Sequence, residues 1–265
     1  MADGLWPSAI CHPLFADKMK LYGKNPVLER LKSNPQSIQK ILIQQNHPEA
    51  CYIRSKAKKW NIPIFFIPRD RMHRLGQNIH AQGIIMEVEQ FAYVPFDEML
   101  TAALCKNQSP VFIDELNDPQ NLGGIIRSLG CLGNFSVVFP KHDSVSVTEA
   151  VLRVACGGEN YVEISQVSNL GHAIWLAKEA GFWIAGTVVE GGKNLFETAL
   201  PFPLALVMGS EQKGIREIIK KKLDLELTIS VLPSRMSFNV AHAAAILAYE
   251  IAKQKKKSAR TPQLP

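Results

Sequence analysis

The run Val111-Phe112-Ile113-Asp114-Glu115-Leu116-Asn117-Asp118-Pro119-Gln120-Asn121-Leu122-Gly123-Gly124-Ile125-Ile126-Arg127 carries a change of period at its centre. Its first five residues read as a buried strand, 111–115, and the residues from Pro119 onward as a helix, 119–132. Asn117 or Asp118 can cap that helix, and Pro119 fits its first turn because the missing N–H would be unpaired there anyway. Gly123 and Gly124 then fall inside the helix, where each costs roughly 1 kcal/mol relative to alanine. A helix that accepts two glycines is often approached closely by another backbone or by a ligand. Arg127 lies one turn after Gly123 on the same helical face. Taken alone, the run is also satisfied by a plain capped helix with a surface arginine.

The same alternation continues on both sides. Strands are expected at 135–140, 160–164, 182–188, 203–209 and 227–232, and helices at 146–155, 168–180, 213–222 and 237–254. This is a doubly wound α/β pattern. The last helix carries Val240, Ala244, Leu247, Ala248 and Ile251 at helical spacing, so one face belongs to the core. Upstream, helices at 26–31, 47–60 and 69–75 alternate with strands at 38–44, 63–67 and 84–88, which implies a small α/β unit with a mostly parallel sheet. Pro95 and Asn107-Gln108-Ser109-Pro110 punctuate the stretch between the two units. The division expected is 1–94 and 109–257, with a linker at 95–108 that holds a short helix. The charged tail from Lys255, including 258–265, is expected to be disordered.

Two further runs resemble the first in layout. Leu206-Val207-Met208-Gly209-Ser210-Glu211-Gln212-Lys213-Gly214-Ile215 puts Gly209, Ser210 and Glu211 just past an apolar strand, with Gly214 opening the next helix. Ligands of open α/β folds bind at the carboxyl ends of strands, and glycine there permits close backbone approach. Leu232-Pro233-Ser234-Arg235-Met236-Ser237-Phe238-Asn239-Val240-Ala241 ends a strand and opens a long alanine-rich helix. Ser237 is a plausible N-cap, and Asn239 would present an amide beside outward-pointing backbone N–H groups. Each run alone is also explained by an ordinary capped turn. No G-x-G-x-x-G follows a strand, and neither a phosphate loop nor a G-x-S-x-G elbow occurs. The seven histidines show no metal spacing.

Composition narrows the class. A chain of 265 residues with 46% hydrophobic content can bury a core in one large domain or two ordinary ones. The longest apolar stretches, such as that from Pro203 to Met208, are too short to cross a bilayer. The first residues show no charged-then-apolar leader pattern. Cys11, Cys51, Cys105, Cys131 and Cys156 are scattered and form no C-x-x-C pair, so they are expected to be small buried residues of a cytoplasmic protein. Net charge is +6 and unevenly placed: residues 1–95 hold 13 Lys+Arg against 7 Asp+Glu, and Lys253, Lys255, Lys256, Lys257 and Arg260 crowd the tail. A basic first unit suits a polyanion partner.

Together, in this order and spacing, the three runs resemble the motifs of the SpoU (TrmH-type) RNA ribose 2′-O-methyltransferases, a branch of the SPOUT enzymes. Leu21-Tyr22-Gly23-Lys24-Asn25-Pro26-Val27-Leu28 and Gln82-Gly83-Ile84 look like the start and closing strand of that family's N-terminal RNA-binding domain, which is similar to certain ribosomal proteins. Arg153-Val154-Ala155-Cys156-Gly157-Gly158 resembles a turn between the family's first two motifs.

The resemblance implies a trefoil-knotted catalytic domain, S-adenosylmethionine as cofactor, rRNA or tRNA as substrate, a homodimer that completes the site, and no metal. By position it implies that Gly209, Leu232 and Phe238 hold the adenosine part. It also makes Asn121, Arg127, Glu211, Ser237 and Asn239 the polar catalytic residues. Arginine is very hard to deprotonate, so Arg127 is read as a clamp on the phosphate next to the reacting ribose rather than as a base. Ser237 and Asn239 would orient the ribose, and Glu211 would fix Arg127 or Asn239. The chain departs from the pattern in three ways. Only Ser234-Arg235-Met236 separate Pro233 from Ser237, where many relatives have three residues more. Phe238 stands where leucine is usual, and Ala241 where serine is common. A catalytically silent RNA-binding relative is therefore the alternative reading, and an α/β enzyme acting on a small molecule is the third.

Overall fold

The computed structural model describes residues 18–76, 82–210, 213–231 and 237–258. Two sheets organise them. The first is four-stranded, in the order β1-β4-β2-β3, and is built from β1 (Lys18–Tyr22), β2 (Ile38–Gln44), β3 (Ile64–Ile67) and β4 (Ile84–Glu89). Helices α1 (Lys24–Ser33), α2 (Ala50–Lys58) and α3 (Arg69–Leu75) connect them. The expected mostly parallel sheet is corrected here. Helices α1 and α2 do make the crossovers read from the pattern, but β4 inserts between β1 and β2 and runs antiparallel to both, leaving β2–β3 as the parallel pair. Apolar alternation states which face of a strand is buried and not which way it runs. Strand β1, unforeseen as a strand, ends at Gly23, whose φ of 89° turns the chain into α1.

The second sheet has seven strands in the order β7-β6-β5-β10-β8-β11-β9, every pairing parallel. Its strands are β5 (Ser109–Ile113), β6 (Phe135–Pro140), β7 (Glu163–Val167), β8 (Trp183–Thr187), β9 (Lys193–Asn194), β10 (Leu204–Met208) and β11 (Leu225–Thr228). Alternate residues of the central strands divide between two cores. Val111, Ile113, Val137, Phe139, Leu206 and Met208 face α5 (Pro119–Leu132), α6 (Glu149–Ala155) and α9 (Val240–Ser258). Phe112, Val138, Ala205 and Val207 face α4 (Phe96–Cys105), α7 (Leu170–Glu179) and α8 (Glu217–Lys220). Strands buried on both faces are the mark of a parallel sheet wrapped by helices. Helix α4, expected between the units, packs through Met99, Leu100 and Ala103 onto the second sheet.

The two glycines of α5 are explained by helix packing. A Cβ on Gly123 would strike the Val154 side chain and the Val151 carbonyl of α6, and one on Gly124 would sit 3.0 Å from the Ala241 Cβ of α9.

Four local expectations are corrected. Gly214 does not open a helix: with φ of 65° it bridges back to Ser210, and α8 starts at Glu217. Ser237 does not cap α9; Asn239 does, its side-chain oxygen accepting from Ala241 N at 2.9 Å. The tail is helical through Ser258, and Lys255 Nζ lies 5.7 Å from the Phe202 ring centre and donates to the Asn107 carbonyl at 2.8 Å; residues 259–265 lie outside the described residues. The cysteines are not core residues either: Cys51, Cys105 and Cys131 are exposed and Cys156 is half-buried, while Cys11 lies outside the described residues. Among the described residues no helix is long and apolar enough to cross a membrane.

Candidate active site

The carboxyl ends of β8, β10 and β11 enclose a hollow of about 130 Å³. Its walls include Thr187 at the end of β8 with Val188 and Val189 after it, Met208 at the end of β10 with Gly209 and Ser210 after it, Ile229 and Val231 after β11, and Ser237, Phe238 and Val240 at the start of α9. Gly209 is buried, and a Cβ there would overlap the backbone of Gly214 and Ile215, so the loop after β10 closes only over glycine. The loop is pinned by two backbone hydrogen bonds between Ser210 and Gly214, at 3.2 and 2.9 Å. Val189, Val231 and Phe238 are 69%, 44% and 45% exposed at the rim. Apolar side chains left facing water around a hollow suit a flat apolar ligand such as a nucleobase. Of the three positions expected to hold the cofactor, Gly209 and Phe238 line this hollow; Leu232 lies outside the described residues.

Asn121 and Asn239 meet beside it. Asn121 is in the first turn of α5, which Asp118 caps by accepting from Gln120 N at 2.9 Å. Asn239 Nδ2 donates to Asn121 Oδ1 at 2.9 Å, while Asn239 Oδ1 caps α9. Both amide ends of Asn239 are thereby assigned, and the two helices are locked at their N-termini. Ser237 lies two residues before this pair, exposed on the hollow's wall.

Arg127 is not drawn into the cluster. Six residues beyond Asn121, it is turned about a third of the way round α5 and lies about 9 Å further along. It is exposed, a Cβ added to Gly158 would come within 2.9 Å of its Cα, and its charge reaches Cys156, whose thiol burial pushes up and Arg127 pulls back. Glu211 lies outside the described residues, as does the short loop 233–236.

Sequence reasoning missed Asp114 and Arg216. Asp114, fully buried at the end of β5, accepts from Arg216 N at 3.0 Å, Nε at 2.9 Å and Nη2 at 2.6 Å. Glu115 adds Arg216 Nη1 at 3.1 Å and Lys213 at 3.5 Å. These bonds raise the Arg216 pKa, Asp114 first, against the opposing effect of burial. They fasten the loop after β10 to the end of β5, and so hold Gly209 against the hollow. A carboxylate closing an apolar strand was the available signal. Among the described residues no group of three His, Cys, Asp or Glu is placed to hold a metal ion.

Residues 109–249 match the profile of the SpoU rRNA methylase family, and residues 20–94 match the profile for RNA 2′-O ribose methyltransferase substrate binding. The chain belongs to the SpoU rRNA methylase family. Among its relatives is the 23S rRNA (guanosine-2′-O-)-methyltransferase RlmB of Coxiella burnetii, 33% identical over a 242-position match that covers 89% of this chain and 96% of that protein. RlmB of Neisseria meningitidis is 29% identical, over 91% of this chain and 97% of its own. Among solved structures, the SpoU methyltransferase AviRb of Streptomyces viridochromogenes in complex with AdoMet superposes with a TM-score of 0.72 at 19% identity, covering 91% of each chain. That likeness is one of fold.

Proposed function

We infer that the chain transfers a methyl group from S-adenosylmethionine to a ribose 2′-OH of RNA, with 23S rRNA as the first substrate to test and tRNA as the second. The observation that carries this reading is the Asn121–Asn239 pair set beside the Gly209–Phe238 hollow, in a member of the SpoU rRNA methylase family. No observation supports a silent relative, and the matched relatives cover nearly the whole chain.

The apolar rim and the backbone around Gly209 fit an adenosine, held by Gly209, Phe238 and, by position, Leu232. The bound cofactor supplies an electrophilic methyl on a sulfonium. The chain's own residues handle the other reactant. A ribose hydroxyl is a poor nucleophile until its proton is leaving, so the site must fix its direction and stabilise the developing oxyanion. Asn239 and Asn121, already locked to each other and to the start of α9, give rigid amide dipoles for that purpose. Ser237 adds a hydroxyl on the same wall. Arg127 serves as a permanent cation for the phosphate next to the reacting ribose and thereby lowers the barrier to proton loss.

Arg127 and Asn239 diverge within one chain, which supports a homodimer in which Arg127 of one subunit completes the site of the other. We assign residues 1–94 to RNA binding and 109–257 to catalysis, in a trefoil-knotted second unit of a cytoplasmic enzyme. The test is transfer of labelled methyl from S-adenosylmethionine to ribosomal RNA lacking the modification, followed by mapping of the modified ribose. Absence of transfer to both rRNA and tRNA, with intact cofactor binding, would overturn the reading.

A further inference from the structure

The stretch from Ala50 to Arg69 contains Arg54, Lys56, Lys58, Lys59 and Arg69 and neither Asp nor Glu. It forms α2, the turn after it, β3 and the first residue of α3. Among the described residues β3 pairs with β2 alone, so its other side is an open sheet edge. Large aromatic side chains stand in water along this stretch: Phe65 51%, Phe66 37%, Trp60 50% and Tyr52 46% exposed. Successive residues of a strand point to opposite faces, so Phe65 and Phe66 flank the edge on both sides. The cations are interleaved with the rings. The Arg54 guanidinium lies 4.9 Å from the Phe66 ring centre, and Lys56 Nζ lies 5.5 Å from that of Tyr52. None of the five cations is paired with a carboxylate among the described residues.

Burial would stabilise these rings, and carboxylates would partner these cations. Water-facing rings among unpaired cations are the composition of a single-stranded nucleic-acid platform, where bases stack on aromatics and cations follow the phosphates. We propose that the α2–β3 edge, through Phe65, Phe66 and Arg54, binds unpaired bases of the RNA substrate. This rests on the reading of the chain as an RNA-modifying enzyme and adds to it the part of the substrate that is gripped: a single-stranded segment away from the reacting ribose. The open edge could instead accept a protein strand, but five unpaired cations favour a polyanion.

The experiment measures binding of the full chain to a labelled single-stranded RNA of mixed sequence and to the same RNA annealed to its complement, across a salt series, for four forms. These are wild type, the Phe65→Ala/Phe66→Ala double variant, Phe66→Tyr and Arg54→Gln. The platform requires tighter binding of the single strand by wild type and at least a fivefold loss in the double variant, since stacking of each base on a ring contributes that much or more. It also requires near-normal affinity for Phe66→Tyr, and a log–log salt slope shallower by about 0.7 for Arg54→Gln. Cofactor binding should stay unchanged throughout and every form should unfold cooperatively, with a modest fall in melting temperature for the double variant, whose rings are partly buried. If wild type binds and methylates RNA and the double variant binds it equally well, the platform is overturned while the enzymatic reading stands. If wild type neither binds nor methylates RNA, both are overturned. If the double variant changes only self-association, the edge is a protein interface and the platform is overturned.

Discussion

Asn239 and Asn121, 118 positions apart in the chain, are joined by a 2.9 Å hydrogen bond that ties the first turn of α9 to the first turn of α5. Because Asn239 also caps its own helix, one side chain starts α9 and locks it to α5, and under the proposed function it would serve the site as well. Asn239→Ala should lose methyl transfer and also destabilise the protein by about 1–2 kcal/mol, the usual range for a lost cap and hydrogen bond. Asn121→Ala and the double variant complete a cycle whose coupling, read from urea unfolding, should be about 1 kcal/mol. Additive effects would mean that the bond contributes nothing in solution.

Arg127→Ala should abolish methyl transfer and leave cofactor binding nearly intact. Mixing it with Asn239→Ala provides a sharper check. If each site takes Arg127 from one subunit and Asn239 from the other, random reassortment restores about one quarter of wild-type activity, because half the dimers keep one intact site of two. If both residues act within one chain, no activity returns.

Gly209→Ala should both destabilise and disable. The added methyl overlaps the backbone of Gly214 and Ile215, so the loop must shift, at roughly 1–3 kcal/mol for an overpacked position. Calorimetric titration with S-adenosylmethionine should show weakened binding. Normal affinity in a folded Gly209→Ala protein would move the cofactor elsewhere.

A buried ion pair joins α1 to the turn before β7. Arg30 Nη2 donates to Glu159 Oε1 at 2.9 Å, both residues 6% exposed. Removing one partner leaves the other charge buried, so Glu159→Ala should cost about 3–5 kcal/mol in denaturant unfolding, while an Arg30→Met/Glu159→Leu double variant should lose far less. Burial raises the Glu159 pKa above its ordinary 4.5, with Arg30 opposing the rise. The native state therefore retains a proton that the unfolded chain releases, and stability should fall as pH climbs from 4.5 through the folded value.

Lys255 gives the opposite slope. Burial lowers its pKa from 10.5 to about 8. Between those values the unfolded chain binds more protons than the folded one, so this group's contribution to stability should grow as pH rises from 8 to 10.5. Lys255→Met should flatten the dependence over that window, measured as melting temperature against pH.

Much of this protein was legible in its residues because it rests on local chemistry. The periods of 2 and 3.6 locate β5, α5, β6 and β10 and say which side chains enter the core. Asp118 and Pro119 start α5 as caps do anywhere. The family motifs point to Gly209, Phe238, Asn121 and Asn239, which lie at the hollow or its border. Other features depend on what distant segments meet. Nothing within residues 84–89 states that β4 would enter between β1 and β2 and reverse the sheet, since strand direction follows from the path of the chain. Lys255 reads as part of a charged tail until Phe202 and Asn107 supply its surroundings. Ser237 and Asn239 are equally good caps by type, and Asn121 across the helix interface decides for Asn239. Arg127 shares a helix with Asn121, yet the pitch of that helix turns it away. Period thus determined the elements, and the resemblance of the three motifs supplied the expected chemistry, while the tertiary structure decided which groups share a site, because hydrogen bonds and burial act over a few ångströms of space whatever the separation along the chain.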